Sequence, residues 1–411
     1  MRKSRQALAA LGMTLAAAAA AQSNPWYVGA TQTLGRDDNI YRLPAASAVS
    51  SGTISATQLV GGLDLRPGRQ RLSASAQVGH NRYSAQPQLD FNGYALDAAL
   101  DWETAAHVSG RVELGANRRL GSFTSFTTPT GIGRNVEQTR HASALFRLGD
   151  ARRSRLWFEA ELDHDLRRSD IDLGSARPLL GEPVVLGYER DFTTTGASFG
   201  GRYRVGGALV LGLGLHATRG DEDYRLRTPA SAAVAREDSF DRHDIDFIAN
   251  WSPGGDSRVH ARLSRGRTDV EHHLFMRDRS GWSGLLRWEW TPTAKLATDL
   301  RLARETNARS ISGSTETANE PVTSLELKAR YALSAKVGAS AALRHASRRL
   351  DTGIPTDGTD RRRGFDLGLE WAALRNLSLG CSIGHETRSV SSLSAGYDAT
   401  STLCTARAVL Q

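Results

Sequence analysis

The chain has 411 residues, 40% of them hydrophobic and 23% charged, with two cysteines and a formal net charge of +8. Its 52 basic and 44 acidic residues are interspersed, with no basic cluster interleaved with aromatics, which argues against nucleic-acid binding. After residue 21 almost no run exceeds four strong hydrophobes, which excludes membrane helices and leaves too little continuously apolar sequence for a large soluble core.

The N-terminus reads as a secretory signal peptide. Arg2, Lys3 and Arg5 form a positive region, residues 7–21 form a short Ala-rich apolar run, and Ala19-Ala20-Ala21 offers a small-x-small cleavage site. The apolar run falls short of the ~20 residues that a spanning helix needs. Residues 1–21 are therefore the expected leader and residues 22–411 a single domain. Removing the three leader charges lowers the net charge from +8 to +5.

From residue 26 onward the chain has one repeated pattern. Stretches that alternate apolar and polar residues cover 27–43, 54–66, 71–83, 91–102, 108–120 and 135–148. They continue at 154–168, 188–204, 208–220, 240–251, 258–270 and 281–290, then at 295–307, 321–333, 336–350, 362–373, 376–390 and 397–410. A period of two gives each stretch one apolar and one polar face. The connections alternate in length. Those at 67–69, 103–107, 149–153, 205–207, 252–257, 291–294, 334–335 and 374–375 are short and rich in turn residues. Those at 122–134, 169–186, 221–239 and 308–320 are long. The expected fold is an all-β transmembrane antiparallel barrel of about 18 strands, with 16 the nearest alternative. Short turns would face the periplasm and long loops the exterior.

The faces can be assigned residue by residue. Leu209, Leu211, Leu213 and Leu215 oppose Gly212, Gly214 and His216; Phe365, Leu367, Leu369 and Trp371 oppose Asp366, Gly368 and Glu370. A basic residue on the lipid face at mid-bilayer costs ~2–4 kcal/mol, so the polar faces must line a lumen. Trp102, Trp251, Trp290 and Trp371 each close an even-numbered stretch in the apolar register, just before a short turn. They are expected to ring the periplasmic membrane boundary.

Arg262, Arg287, Arg301, Lys328, Arg330, Arg344 and Arg348 fall on one predicted lumen wall, a candidate solute-binding surface. Concentrated positive charge would attract anions. Glu289, Asp299, Glu305 and Glu326 lie on the same wall, however, and pairing would leave little net field. Both readings stand at the level of sequence. Cys381 and Cys404 lie 12 and 11 residues from the centre of the last hairpin, and so nearly opposite each other. An oxidising compartment would allow a cross-strand disulfide there. Two small apolar residues facing lipid are the alternative.

No motif points to catalysis. The carboxylates of Asp163 and Asp165 share one face while His164 points to the other, and Glu271-His272-His273 and Asp221-Glu222-Asp223 read as polar loops. Residues 351–360 lack EF-hand spacing. No cofactor, metal site or catalytic residue is expected.

The first stretch carries Arg36-Asp37-Asp38-Asn39-Ile40-Tyr41-Arg42-Leu43-Pro44. This segment resembles the first strand of the EpsL-type outer-membrane β-barrel proteins associated with exopolysaccharide biosynthesis, with Asp37, Asp38, Asn39 and Arg42 as the motif residues. Paired cysteines near the end are also similar. The resemblance implies a role in exopolysaccharide assembly or export through the outer membrane, without covalent catalysis. A general diffusion porin and an outer-membrane enzyme acting on polymer or lipid are the alternatives. The expected partners are outer-membrane lipid and lipopolysaccharide, the barrel-insertion machinery, and an exopolysaccharide with its export components. One departure is the final Arg407-Ala408-Val409-Leu410-Gln411, where such barrels usually carry a terminal aromatic.

Overall fold

The computed structural model describes residues 24–44, 49–104, 107–121, 123, 134–150, 154–178, 184–227, 234–271, 278–305, 322–350, 358–389 and 396–411. The expected leader, His272-His273 and residues 351–357 lie outside them. Alternation of branched or aromatic residues with polar ones yields eighteen strands. They are β1 (Trp26–Asp37), β2 (Gly52–Leu65), β3 (Arg71–Tyr83), β4 (Phe91–Glu103), β5 (Val108–Leu120) and β6 (Arg134–Leu148). Next come β7 (Leu156–Pro178), β8 (Val184–Arg204), β9 (Leu209–Arg227), β10 (Val234–Gly254), β11 (Ser257–Val270) and β12 (Arg279–Thr293). The last are β13 (Leu296–Glu305), β14 (Val322–Ala332), β15 (Val337–Leu350), β16 (Gly358–Leu374), β17 (Leu377–Arg388) and β18 (Tyr397–Leu410). One short 3-10 turn, Pro87–Leu89, precedes β4.

Every strand pairs antiparallel with its neighbour in sequence, and β1 pairs with both β2 and β18, so the sheet closes. Closure removes the unpaired edges that could not survive in hydrocarbon. At ~4.8 Å between strands and a tilt of ~40°, eighteen strands make a ring roughly 36 Å across. Barrels of 16–18 strands are wide enough to enclose an aqueous channel.

Burial is inverted relative to a soluble protein. Leu213 is 55% exposed and Leu215 60%, whereas Asp246 is 7% and Arg202 6% exposed. Apolar side chains cover the outside and charges fill the inside, as a bilayer requires.

Two sequence expectations need correction. The first strand ends at Asp37 rather than at residue 43. Asp38-Asn39 favours turns, and Arg42 takes a left-handed conformation at φ 55°. Second, the expected loops at 169–186 and 221–239 are largely strand: β7 runs on to Pro178, β9 to Arg227, and β10 begins at Val234. Above the membrane the outer face of a strand meets water rather than lipid, so the period-two signal disappears while the backbone pairing continues. The remaining boundaries shift by four residues at most.

Candidate functional site

The candidate site is the lumen wall. The strand registers place Arg262, Arg287, Arg301, Lys328, Arg330, Arg344 and Arg348 on the inner face, opposite Phe247, Leu263, Leu302, Leu325 and Leu343 on the outer face. Most of the seven face carboxylates. Arg262 and Arg301 share Glu305, at 2.5 and 3.1 Å. Arg287 lies 2.5 Å from Asp299 and 2.9 Å from Glu289. Lys328 meets Glu326 at 2.8 Å and Arg344 meets Asp366 at 2.6 Å. Arg348 is buried and opposite Asp360 in register, while Arg330 is exposed to the lumen.

Acid–base pairing also covers the adjoining wall formed by β5–β10, a set of residues the sequence reading missed. Glu137 is 1% exposed and bridges Arg119 at 3.2 Å and Arg167 at 3.0 Å. Glu159 sits between Arg147 at 3.0 Å and Arg202 at 3.3 Å, and also accepts the Trp157 indole N–H at 3.1 Å. Arg190 pairs with Glu222, and Arg242 with Asp244 at 2.8 Å. The strict alternation of Glu159, Glu161, Asp163 and Asp165 carried the signal for this wall, since all four share the inner face. Glu159, Glu161 and Asp163 line a small cavity of about 100 Å³ between β7 and β11, together with His216, Asp246 and Arg262.

Toward the exterior, the inner face of β7–β11 turns apolar. Ile171, Tyr188 and Leu226 form one buried cluster, and Phe240 with Val270 another. Tyr188 stacks on Tyr224 with centroids 5.1 Å apart. These clusters take over the bracing of the long strand extensions where the bilayer ends.

The motif residues form a clip at the closing seam. The Asp37 carboxylate accepts from the Asn39 backbone N–H and from Arg42 Nη1, each at 2.9 Å. Asn39 Nδ2 donates to the Leu43 and Asp398 carbonyls at 2.8 and 2.9 Å. Asp38 accepts from the Thr400 N–H at 2.7 Å and donates its own N–H to the Thr400 carbonyl at 3.1 Å. Arg42 lies in the β1–β2 connection, outside the membrane-spanning strands. Burial would depress its guanidinium, but the Asp37 carboxylate more than offsets this and holds its pKa above the ordinary value.

Cys381 and Cys404 are paired in register on β17 and β18 and joined by a disulfide. They share the outer face with Leu369 and Leu34. Trp251, Trp290 and Trp371 are 47%, 40% and 50% exposed on that face at the short-turn end. Trp102 holds the same position on β4, beside Phe146.

The sequence matches no family model and no curated protein. The fold does match solved structures. Similarity to the unliganded ferric citrate transporter FecA covers 95% of this chain and 79% of that one, at TM-score 0.51 and 8% identity. The outer membrane protein OpdK from Pseudomonas aeruginosa aligns over 94% of this chain and 99% of that one, at TM-score 0.45 and 12% identity. The siderophore receptor PiuA from Acinetobacter baumannii aligns over 94% and 82%, at TM-score 0.48 and 8% identity. The FecA likeness supports the large outer-membrane barrel fold, and does not support the narrower EpsL-type family.

Proposed function

We propose that the chain is an outer-membrane pore for hydrophilic solutes, and that its cargo is a largely uncharged, polyhydroxylated polymer such as an exopolysaccharide. It would act without covalent catalysis. The observation that carries this reading is the self-pairing of the lumen charges. Arg262, Arg287, Arg301, Lys328 and Arg344 each lie within 3.1 Å of a wall carboxylate, which leaves little net field to select anions. A wall of paired charges still offers hydrogen-bond donors and acceptors to hydroxyl groups. The exopolysaccharide assignment itself draws on the motif resemblance at Asp37, Asp38, Asn39 and Arg42.

A general diffusion porin is the second reading. It is favoured by the fact that, among the described residues, every element except the Pro87–Leu89 turn is a strand of the wall. In both readings the partners are outer-membrane lipid outside and, during assembly, the barrel-insertion machinery. Single-channel conductance in planar bilayers separates the two. Size-dependent block by neutral oligosaccharides supports the polymer reading, and weakly selective conductance without block supports a porin. Absence of any conductance would overturn both.

A further inference from the structure

Cys381 and Cys404 lie exposed on the outward face of the last hairpin, well inside the lipid band. Cys404 is six residues from Leu410 and Cys381 four from Leu377, at the periplasmic ends of their strands. That is about 20 and 13 Å along the strands, and roughly 15 and 10 Å in depth at a tilt of ~40°. An apolar band is ~25 Å tall, so both sulfurs sit in hydrocarbon. Their outward neighbours are Leu379 and Ile383 on β17, Ala406 on β18, Leu369 on β16 and Leu34 on β1, all apolar.

Disulfide exchange runs through a thiolate that attacks a disulfide sulfur. A thiolate in hydrocarbon bears the cost of any unpaired charge there, and a soluble oxidant does not reach it. The inserted barrel therefore offers no route to this bond. The hairpin offers one earlier, because the two cysteines are 23 residues apart and meet without the rest of the ring. The bond also supplies something that the sequence of β18 lacks. The outward residues of β18 are Cys404, Ala406, Ala408 and Leu410, and its inward ones are Leu403, Thr405, Arg407 and Val409. These two faces differ little in apolarity, so alternation specifies the register of β18 only weakly, and a slip of one residue would exchange them. A disulfide closes only where the two cysteines stand opposite each other.

We infer that the chain is oxidised before it is inserted, by a soluble periplasmic protein that carries a reactive disulfide, and that the bond pins the register of the last strand. One thiolate of the pair attacks the oxidant's disulfide and forms a mixed disulfide. The second thiolate then attacks the chain's own sulfur in that bond and expels the oxidant. The chain loses two electrons and two protons, and the oxidant leaves as a dithiol. β18, fixed in register on β17, is then presented to β1, where Cys404 stands opposite Leu34 at the closing seam. The inference rests on the barrel being embedded in the outer membrane, as proposed above, but not on what passes through the lumen.

The test uses the full chain in its reduced form, either unfolded in urea or inserted in lipid vesicles. Glutathione disulfide serves as a charged, soluble oxidant and molecular iodine as one that enters hydrocarbon. Free thiols are counted after denaturation with a mass-tagged maleimide. Glutathione disulfide is expected to close the bond in the unfolded chain and not in the inserted barrel over the same period, whereas iodine should close it in both. Closure by glutathione disulfide at equal rates in the two states would overturn the proposal. A reduced chain that does not insert supports it, because oxidation then has to come first. In cells, pulse-labelled chain should acquire the bond while it still lacks heat-modifiable mobility. A pool of folded, reduced barrel that later becomes oxidised would overturn the order. For the register, oxidised chain should give a higher yield of heat-modifiable barrel than reduced chain or the Cys381→Ser, Cys404→Ser double variant. Equal yields from all three would overturn the pinning role. None of these readouts uses conductance, so failure here is distinguishable from failure of the pore reading.

Discussion

The Asn39 side-chain amide donates to the Asp398 carbonyl at 2.9 Å, although 359 residues separate them. The bond ties the outer end of β1 to the start of β18, where the first and last strands close the barrel. Asn39 is 2% exposed and its Oδ1 also accepts the Leu43 N–H at 2.8 Å. One side chain thus holds both the turn after β1 and the strand across the seam. Asn39→Ala is expected to destabilise the barrel by about 1–3 kcal/mol, because it leaves buried backbone groups without a partner. The check is the temperature at which the folded band disappears in heat-modifiability gels. An unchanged midpoint would count against the clip.

How much of this was legible in the sequence follows from where the alternation holds. Leu209, Leu211, Leu213 and Leu215 lie against lipid and the intervening glycines and His216 face water, so strand count and facing could be read directly. The same count placed Cys381 opposite Cys404. The seam clip could not be read this way, because Asn39 and Asp398 are linked only by closure of the whole ring. The extension of β9 through Glu222 and Tyr224 was hidden for a different reason: its outward residues meet water rather than lipid and so carry no apolar signature. The basic wall at Arg262 to Arg348 was visible as a set of residues. Its pairing depended on register, which alternation alone does not fix.

Glu137 offers a test of the buried network. It is 1% exposed and lies within 3.2 Å of both Arg119 and Arg167. Glu137→Gln removes the carboxylate and leaves two guanidinium groups in a covered site. Breaking a buried pair from one side typically costs about 3–5 kcal/mol. Chemical denaturation of the barrel from micelles should show a clearly lower midpoint. Glu289→Gln, at a carboxylate 34% exposed beside Arg258 and Arg287, should change stability far less.

Glu305 tests the electrostatics of the pore. Its two oxygens serve Arg262 and Arg301, at 2.5 and 3.1 Å. Glu305→Gln removes the carboxylate common to both and should shift the reversal potential toward anion selectivity in a salt gradient. Reversing Arg262, Arg301 and Arg344 to Glu should shift it toward cations. If neither shift appears, these side chains do not line the constriction.

The disulfide gives a prediction about access. Cys381 and Cys404 close a segment of 23 residues, for which chain entropy predicts about 3 kcal/mol of stabilisation. They share the outer face with Leu34 and Leu369, which lie against lipid. A membrane-impermeant reductant should therefore leave the bond intact in the folded, lipid-embedded barrel and reduce it after denaturation. Alkylation followed by gel mobility or mass measurement reads the outcome. Rapid reduction in intact membranes would place this face in water.

The tryptophans test depth in the membrane. Trp251, Trp290 and Trp371 lie outward at the short-turn end, whereas Trp157 is 6% exposed inside the barrel, with its indole N–H on Glu159 at 3.1 Å. Lipids brominated near the headgroup should quench the first three more strongly than lipids brominated at the chain terminus, because an indole sits at the interface. Trp157 should be insensitive to both. Single-tryptophan variants make the comparison residue by residue. Quenching of Trp157 comparable to that of Trp371 would mean that the inner and outer faces have been assigned the wrong way round, and with them the lumen.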